Sequence, residues 1–589
     1  MSAEMTGTRL QQILRSPWFA PGLFLFAVLV RAIGIRWGLP TADNHWSLHP
    51  DEPIVWLYSQ AVDLGKGDLL PGFYNYGTLY LIMSSVAAKL AGAYMGGTEP
   101  WQIVGNATLM ARWMSVLAGS SLVWMTYTYV ARQGRATGAV IAAMGVALAP
   151  GMVVHSRFQS VDMVAAAFGF GSLLAASMML PTAHGKVWSH SKAAVVAGLL
   201  AGLSAGTKYT GITALIGLVV VLLFAELAWT CRIKSLGMAV LVTLATFCFT
   251  TPGIFLEQEA FFRDLRYEWL HTQTGHEFVF GATAPGWVYH LANLVAVLGG
   301  PVLILGALGL GFGAWKKQPY VVAALAWALV TYVLIGRAEV KFLRYTLPMV
   351  APLMVGLGAL VSQWHAQGKT SGRIGVAAAM LSVAGLLGGG AAAAAQMTMW
   401  MSGPDSREQT AAILKAEAAK GPVTVGLVSD PWFYSPTLYP MATAPRFVPV
   451  DQRDAAMREA TNPAVVRYVA PDGGRINWDT RLIDEVQPDF IVFSSFEADD
   501  LARIAADPAA RPKFEAAVKD MERFRDRLNQ DYEVWQRVGA GGPRIHDLMY
   551  IRPEMWIWRK KPKSATDSAS TSNPSSTTSG TSGAPAPTP

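Results

Sequence analysis

Apolar residues in this chain come mostly in long unbroken runs, not in alternation. Runs close to span length occupy roughly 18–38, 105–130, 136–153, 161–181, 193–207, 211–229, 235–253, 287–313, 319–336, 345–364 and 374–396. A transmembrane helix needs about 20 mostly apolar residues, so the pattern predicts about eleven spans. Residues 76–96 are almost as apolar. Reading them as a crossing would move Arg132 and Arg135 to the outer side, so they are predicted to form a helix in the outer interface. The pattern changes near residue 400. A helical period runs over 405–420, with Asp405 or Ser406 as N-cap. Short apolar runs at 423–428 and 489–494 read as strands, 511–530 as a helix, and the aromatic stretch 548–558 as a strand. After Lys563 only Asp567 and Asn573 interrupt Ser, Thr, Gly, Ala and Pro. Such a tail cannot bury enough surface to fold. The predicted organisation is an all-α polytopic membrane domain over 1–400, a soluble α/β domain over 401–563, and a disordered tail over 564–589.

Composition strengthens the membrane reading. Apolar residues make up 52% and charged ones 15% of 589 residues, against about 25% charged in soluble domains. The placement of cations says more than the net charge of +7. Arg9 and Arg15, Arg132 and Arg135, Lys186 and Lys192, Arg232 and Lys234, Lys316 and Lys317, and Lys369 and Arg373 fall in every second connection. That is the positive-inside pattern with a cytoplasmic N-terminus. It puts the soluble domain on the periplasmic or extracellular face of the cell (inner) membrane. The first run has Arg before it but no small-residue cleavage site after it, so it is read as a retained helix. No basic tract suggests nucleic acid. Cys231 and Cys248 lie in or beside an apolar segment, which leaves no disulfide framework.

The outward loops hold the residues a greasy chain should avoid. The first, about 40–104, carries His49-Pro50-Asp51-Glu52-Pro53 and the run Phe73-Tyr74-Asn75-Tyr76-Gly77. Asp51 and Glu52 suit the start of a helix, with Pro53 in its first turn. A carboxylate there also suits proton abstraction from a hydroxyl nucleophile, and both readings can hold together. The second loop contains Arg157 and ends at Asp162, which opens the next span as cap or as functional acid. The third is only Gly206-Thr207-Lys208-Tyr209. Lys208 can be an interfacial anchor, but its sign runs against the positive-inside bias. In the fourth, about 254–286, His271 and His276 are five apart, a poor helical metal pair. The fifth, Arg337 to Tyr345, has three cations and Glu339. Cations on the outer side call for an anion at the lipid boundary.

In this order, these clusters resemble the polytopic glycosyltransferases of the GT-C fold, in the bacterial branch related to protein O-mannosyltransferases and aminoarabinose transferases. The resemblance covers about 18–396. It rests on His49 to Glu52, Arg157 with Asp162, Gly206 to Tyr209, and Glu339 to Tyr345 followed by Pro348 and Pro352. It implies a sugar donor carried on polyprenyl phosphate, Asp51 as the base, and Asp162 in the site. The short cytoplasmic loops and the lack of a Gly-rich βαβ fingerprint speak against a nucleotide-sugar donor. The expected site therefore has Asp51, Glu52 and Asp162 as catalytic residues. Lys208, Lys341, Arg344 and Arg157 would bind the donor phosphate. His49, Tyr76, Tyr209, His271, His276 and Glu339 would bind substrate. A divalent cation at Asp51 and Asp162 is left open. The acceptor hydroxyl would belong to a glycan, lipid or protein, and the reaction would invert the anomeric centre. A secondary transporter or flippase is the alternative, but it would place ionisable groups at the midplane, where these runs are nearly free of charge. A non-catalytic assembly protein would leave the outward cations unexplained.

Overall fold

The computed structural model describes residues 14, 16–44, 46–134, 136–182, 186–364, 368–438 and 464–562, without the side chains of 364–376. The tail 564–589 and the cations Arg9, Arg15 and Arg135 lie outside them. The chain is mostly helical, as a membrane-spanning chain must be to satisfy its own backbone. It begins with α1 (Phe19–Ala32), α2 (Asp51–Ser59), α3 (Thr78–Tyr94) and the long α4 (Pro100–Gln133). A capping box between Glu99 and Gln102 starts α4, with Pro100 in its first turn. Then follow α5 (Ala136–Leu148), α6 (Pro150–His155), α7 (Val161–Ser177), α8 (His190–Thr207), α9 (Leu215–Phe224) and α10 (Trp229–Thr250). The next helices are α11 (Gln258–Thr274), α12 (Gly286–Leu298), α13 (Gly300–Trp315), α14 (Pro319–Gly336) and α15 (Leu347–Trp364).

Small residues let these helices touch backbone to backbone. A Cβ on Gly138 would fall 2.3 Å from the Gly358 carbonyl, and one on Gly309 would fall 2.0 Å from that of Gly356. A large helix-facing core results, centred on α4, α5, α7 and α15.

Among the described residues, four stretches are long and apolar enough to cross a membrane. They are Trp229–Thr250, Pro319–Gly336, Leu343–Gln363 and Ala377–Ala418. The eleven apolar runs are thus not eleven straight helices. The run 287–313, expected as one span, is two helices bent by 109°. Gly299 sits at φ +84° between them and Pro301 opens the second. A Gly-Gly-Pro break of this kind stops one helix and starts another. Counted as one broken span, the pair makes a fifth. The run 136–153 breaks before Pro150, and the run 211–229 enters through a 3-10 turn over Tyr209–Ala214. Within 76–96, α3 buries Tyr80, Leu81, Ser84 and Ala87 and shares a core with Val55 and Tyr58 of α2.

Among the described residues beyond Ser402 lies a five-stranded mixed sheet. Its strands are β1 (Val425–Leu427), β2 (Val465–Val466), β3 (Phe490–Ser494), β4 (Tyr532–Val538) and β5 (Met555–Lys560), in the order β2-β1-β3-β5-β4. The pairs β1–β2 and β1–β3 are parallel, and β3–β5 and β4–β5 antiparallel. Asp405 is the N-cap of the helix Ser406–Ala418, with Glu408 completing a capping box. The expected strand 548–558 is only partly a strand. Residues 546–549 form a helical turn and the strand begins at Met555. Leu548, Tyr550 and Ile551 instead join the core of the membrane-side helices. The domain therefore reaches into the helical domain with one loop.

Candidate functional site

Adjacent carboxylates at the start of α2 point to different places. Glu52 is buried. It accepts from Arg112 Nε and Nη2 at 2.8 and 2.7 Å, from the Gln159 backbone N–H at 2.8 Å, and from the Ser47 hydroxyl. Burial opposes its ionisation, but Arg112 outweighs it and holds the carboxyl below its usual range. Arg112 also donates to the carbonyls of Ile35 and Trp37. Glu52 thus has no lone pair to spare and lies outside the cavity described below. Asp51, one residue earlier, lines that cavity and remains one-fifth exposed.

Arg344 stands opposite. Its Nη2 lies 3.3 Å from Asp51, its Nε 3.7 Å from Asp162, and its Nη1 3.2 Å from Asp547. The Arg344 backbone N–H also donates to Asp547 at 2.8 Å. The Tyr550 side chain is a further hydrogen-bond partner of this guanidinium. Lys208 Nζ meets Asp162 at 2.5 Å and sits 4.2 Å above the Tyr345 ring. Lys208 is brought here by a close approach of two loops. A Cβ on Gly77 would collide with the Gly206 carbonyl at 2.0 Å, so only glycine allows it. Tyr209 ties the same loops by donating to the carbonyls of Tyr74 and Tyr76 at 2.7 and 3.0 Å.

Asp51, Tyr76, Asp162, Lys208, Arg344, His271 and His276 all line one cavity of about 780 Å³. Its floor is one end of the helices and its roof is the C-terminal domain. His271 and His276 meet at 2.8 Å despite their spacing, because α11 ends at Thr274 and Gly275 turns the chain at φ +86°. Burial, then the neighbouring His271, lowers the His276 pKa to about 4.

Other expected residues are placed elsewhere. Arg157 is buried against the carbonyls of Val30 and Arg31 and the Thr398 hydroxyl. Burial lowers its pKa to about 10. Lys341 bonds Thr283 at 3.1 Å and pairs with exposed Glu339 at 3.3 Å, and neither faces the cavity. His49 lies behind the wall, tilted against the Phe158 ring and edge-on to Tyr550. Its Nδ1 accepts from the Asp51 backbone N–H at 3.3 Å, which steadies the α2 start. Tyr209 is a strut rather than a lining residue. Among the described residues, no three His, Cys, Asp or Glu side chains are placed to hold a metal. Asp51 faces Arg344, and Asp162 faces both Arg344 and Lys208.

Asp547, His546 and Tyr550 were not anticipated. Asp547 is fully buried. Burial alone would raise its pKa, but Arg344 and the His546 side chain hold it well below the carboxylate range. Its sequence signal was slight, an acid in His546-Asp547 just before the aromatic stretch.

Residues 101–255 match the model of a family described as dolichyl-phosphate-mannose-protein mannosyltransferase. The likeness to polytopic glycosyltransferases read from the loop motifs is thus found again, over a segment that contains Asp162 and Lys208. No curated protein matches the chain. Among solved structures, the chain is similar to ArnT from Cupriavidus metallidurans, at 15% identity and TM-score 0.48, covering 91% of this chain and 97% of that one. It is also similar to the Archaeoglobus fulgidus oligosaccharyltransferase, at 14% identity and TM-score 0.47, covering 83% and 71%. The Saccharomyces cerevisiae protein O-mannosyltransferase Pmt1-Pmt2 complex matches over 43% of this chain and 36% of that one, at 16% identity and TM-score 0.31.

Proposed function

We propose that this multi-pass membrane protein transfers a sugar from a polyprenyl-phosphate carrier to an acceptor hydroxyl, in the cavity at the outer end of its helices. The observation that carries the reading is the meeting of Asp51, Asp162, Lys208 and Arg344, from four separate loops, on one cavity. Asp51 takes the proton of the acceptor hydroxyl. The freed oxygen attacks the anomeric carbon, the bond to the phosphate oxygen breaks, and the phosphate leaves with that electron pair, inverting the centre. Phosphate is a competent leaving group and needs charge stabilisation more than a proton. Lys208 and Arg344, the Lys and Arg side chains among the described lining residues, supply it. In this reading the N-terminus is cytoplasmic, and residues 401–563 form a periplasmic or extracellular domain over the inner membrane.

The test is release of sugar from a labelled polyprenyl-phosphate donor by the purified protein. Transfer in wild type, with loss in Asp51→Asn, is expected. Donor moved across vesicles without cleavage would mean a transporter and end the proposal.

A further inference from the structure

The cavity has two unlike ends. The helical end carries its cations, Lys208 and Arg344. The far wall belongs to the C-terminal domain and carries Trp432, Tyr434, Phe496, Asn477, Glu497 and Asp500, with no cation among the described lining residues there. Trp432, Tyr434 and Phe496 are only partly buried, so ring surface remains open to the cavity. Glu497 accepts from the hydroxyls of Ser429 and Ser494 and from the Ser494 backbone N–H. Asp500 is drawn toward Arg503, which lies outside the lining. A bland reading of Glu497 is the capping box of the helix Ser495–Ala505. That accounts for one oxygen and not for the aromatic surface beside it. A separate feature lies near Asp162. Gln159 is buried and lines the cavity, yet its Oε1 has no hydrogen-bond partner among the described residues.

An anionic donor suits the cationic end and not this wall. Open aromatic faces next to carboxylates and amides suit a sugar chain. The C–H face of a pyranose stacks on a ring, and its hydroxyls donate to carboxylate oxygens. An orphaned amide oxygen in the same cavity lining suits one more hydroxyl. We propose that the domain-side wall is the acceptor subsite and takes a glycan of neutral or amino-bearing sugars. It disfavours acidic ones, because a carboxylate or phosphate on the acceptor would face Asp500 and Asp520 and would find no Lys or Arg among the described lining residues of that wall. The proposal rests on the transferase reading above and adds the class of its acceptor.

The test uses full-length protein in detergent with three trisaccharide probes, one neutral, one of glucosamine and one of galacturonic acid, together with a Ser/Thr-rich peptide. Saturation-transfer NMR and tryptophan fluorescence read binding. Binding of the neutral or amino probe is expected, at least tenfold tighter than the acidic one. Trp432→Phe and Glu497→Gln should each weaken it severalfold. Asn477→Ala, at an exposed position, guards against misfolding in the other two and should weaken it as well. Equal binding of the acidic probe, binding of the peptide alone, or no effect of all three substitutions would overturn the proposal. Undecaprenyl phosphate is titrated in parallel. Should it fail to bind while a trisaccharide binds, the donor reading falls and the acceptor subsite stands; the reverse result leaves the donor reading and removes the subsite.

Discussion

Asp51 and Glu52 share a helix start, a charge and a loop, yet the fold treats them oppositely. Glu52 is locked by Arg112, Ser47 and a backbone N–H, all in the interior. The Asp51 carboxylate pairs with Arg344 at 3.3 Å and lines the open cavity. One carboxylate holds the loop so that the other can be left underused. An acid whose lone pairs are all taken cannot accept another proton without losing its partners. An acid with free lone pairs beside a cavity can.

The sharpest way to break this contrast is to remove each charge alone. Asp51→Asn should lower transfer by about 10²–10⁴-fold, the usual worth of a positioned base, with melting temperature unchanged. Turnover within a few-fold of wild type would show that Asp51 is not the base. Glu52→Ala should do the reverse. It strands a buried guanidinium, which costs about 3–5 kcal/mol, so the signature is poor folded yield and a lower melting temperature. A stable but inactive Glu52→Ala protein would erase the distinction between the neighbours.

A third prediction compares acids at opposite ends of the cavity. Burial raises the Glu497 pKa to about 7 against the Ser429 and Ser494 hydrogen bonds. The folded state therefore holds a proton that the unfolded chain has released above about pH 4.3. Stability is full below that pH, falls as pH rises toward 7, and is level beyond it. The loss is at most about 4 kcal/mol. Melting temperature should drop from pH 5 to 7.5 in wild type and vary less in Glu497→Gln. Identical pH profiles would remove Glu497 as the cause.

Which of these residues could be seen in the sequence depended on what kind of signal each left. Lys208 and Arg344 stood out because they are cations in loops that the charge alternation assigns to the outer side, against the topology rule. Arg157 and Lys341 left the same signal, but their charge is absorbed by the carbonyls of Val30 and Arg31 and by Thr283 and Glu339. Sign alone cannot separate a cation that ties down backbone from one that faces a cavity. Helix positions followed the apolar runs closely, since burial in lipid leaves few other solutions. The break at Gly299 was written in Gly-Gly-Pro, but hydropathy summed over a window passes over it. Asp547 was out of reach, because its partner Arg344 lies at the far end of another domain and no local period links them.

That last pair supports the smallest and most discriminating prediction. Asp547 neutralises part of the one cation that also faces Asp51 and Asp162. Asp547→Asn keeps an oxygen for the Arg344 backbone N–H and loses the charge. Arg344 then leans more on Asp51 and presents more net positive charge to a phosphate. Turnover should fall about tenfold, while undecaprenyl phosphate binds as well as before or severalfold tighter. A merely structural role predicts otherwise, since a loosened domain would weaken lipid binding and catalysis together. If both fall in parallel with the melting temperature, Asp547 only docks the domain. If kcat falls and lipid affinity does not, the C-terminal domain sets the charge on Arg344, and the active centre belongs to both domains.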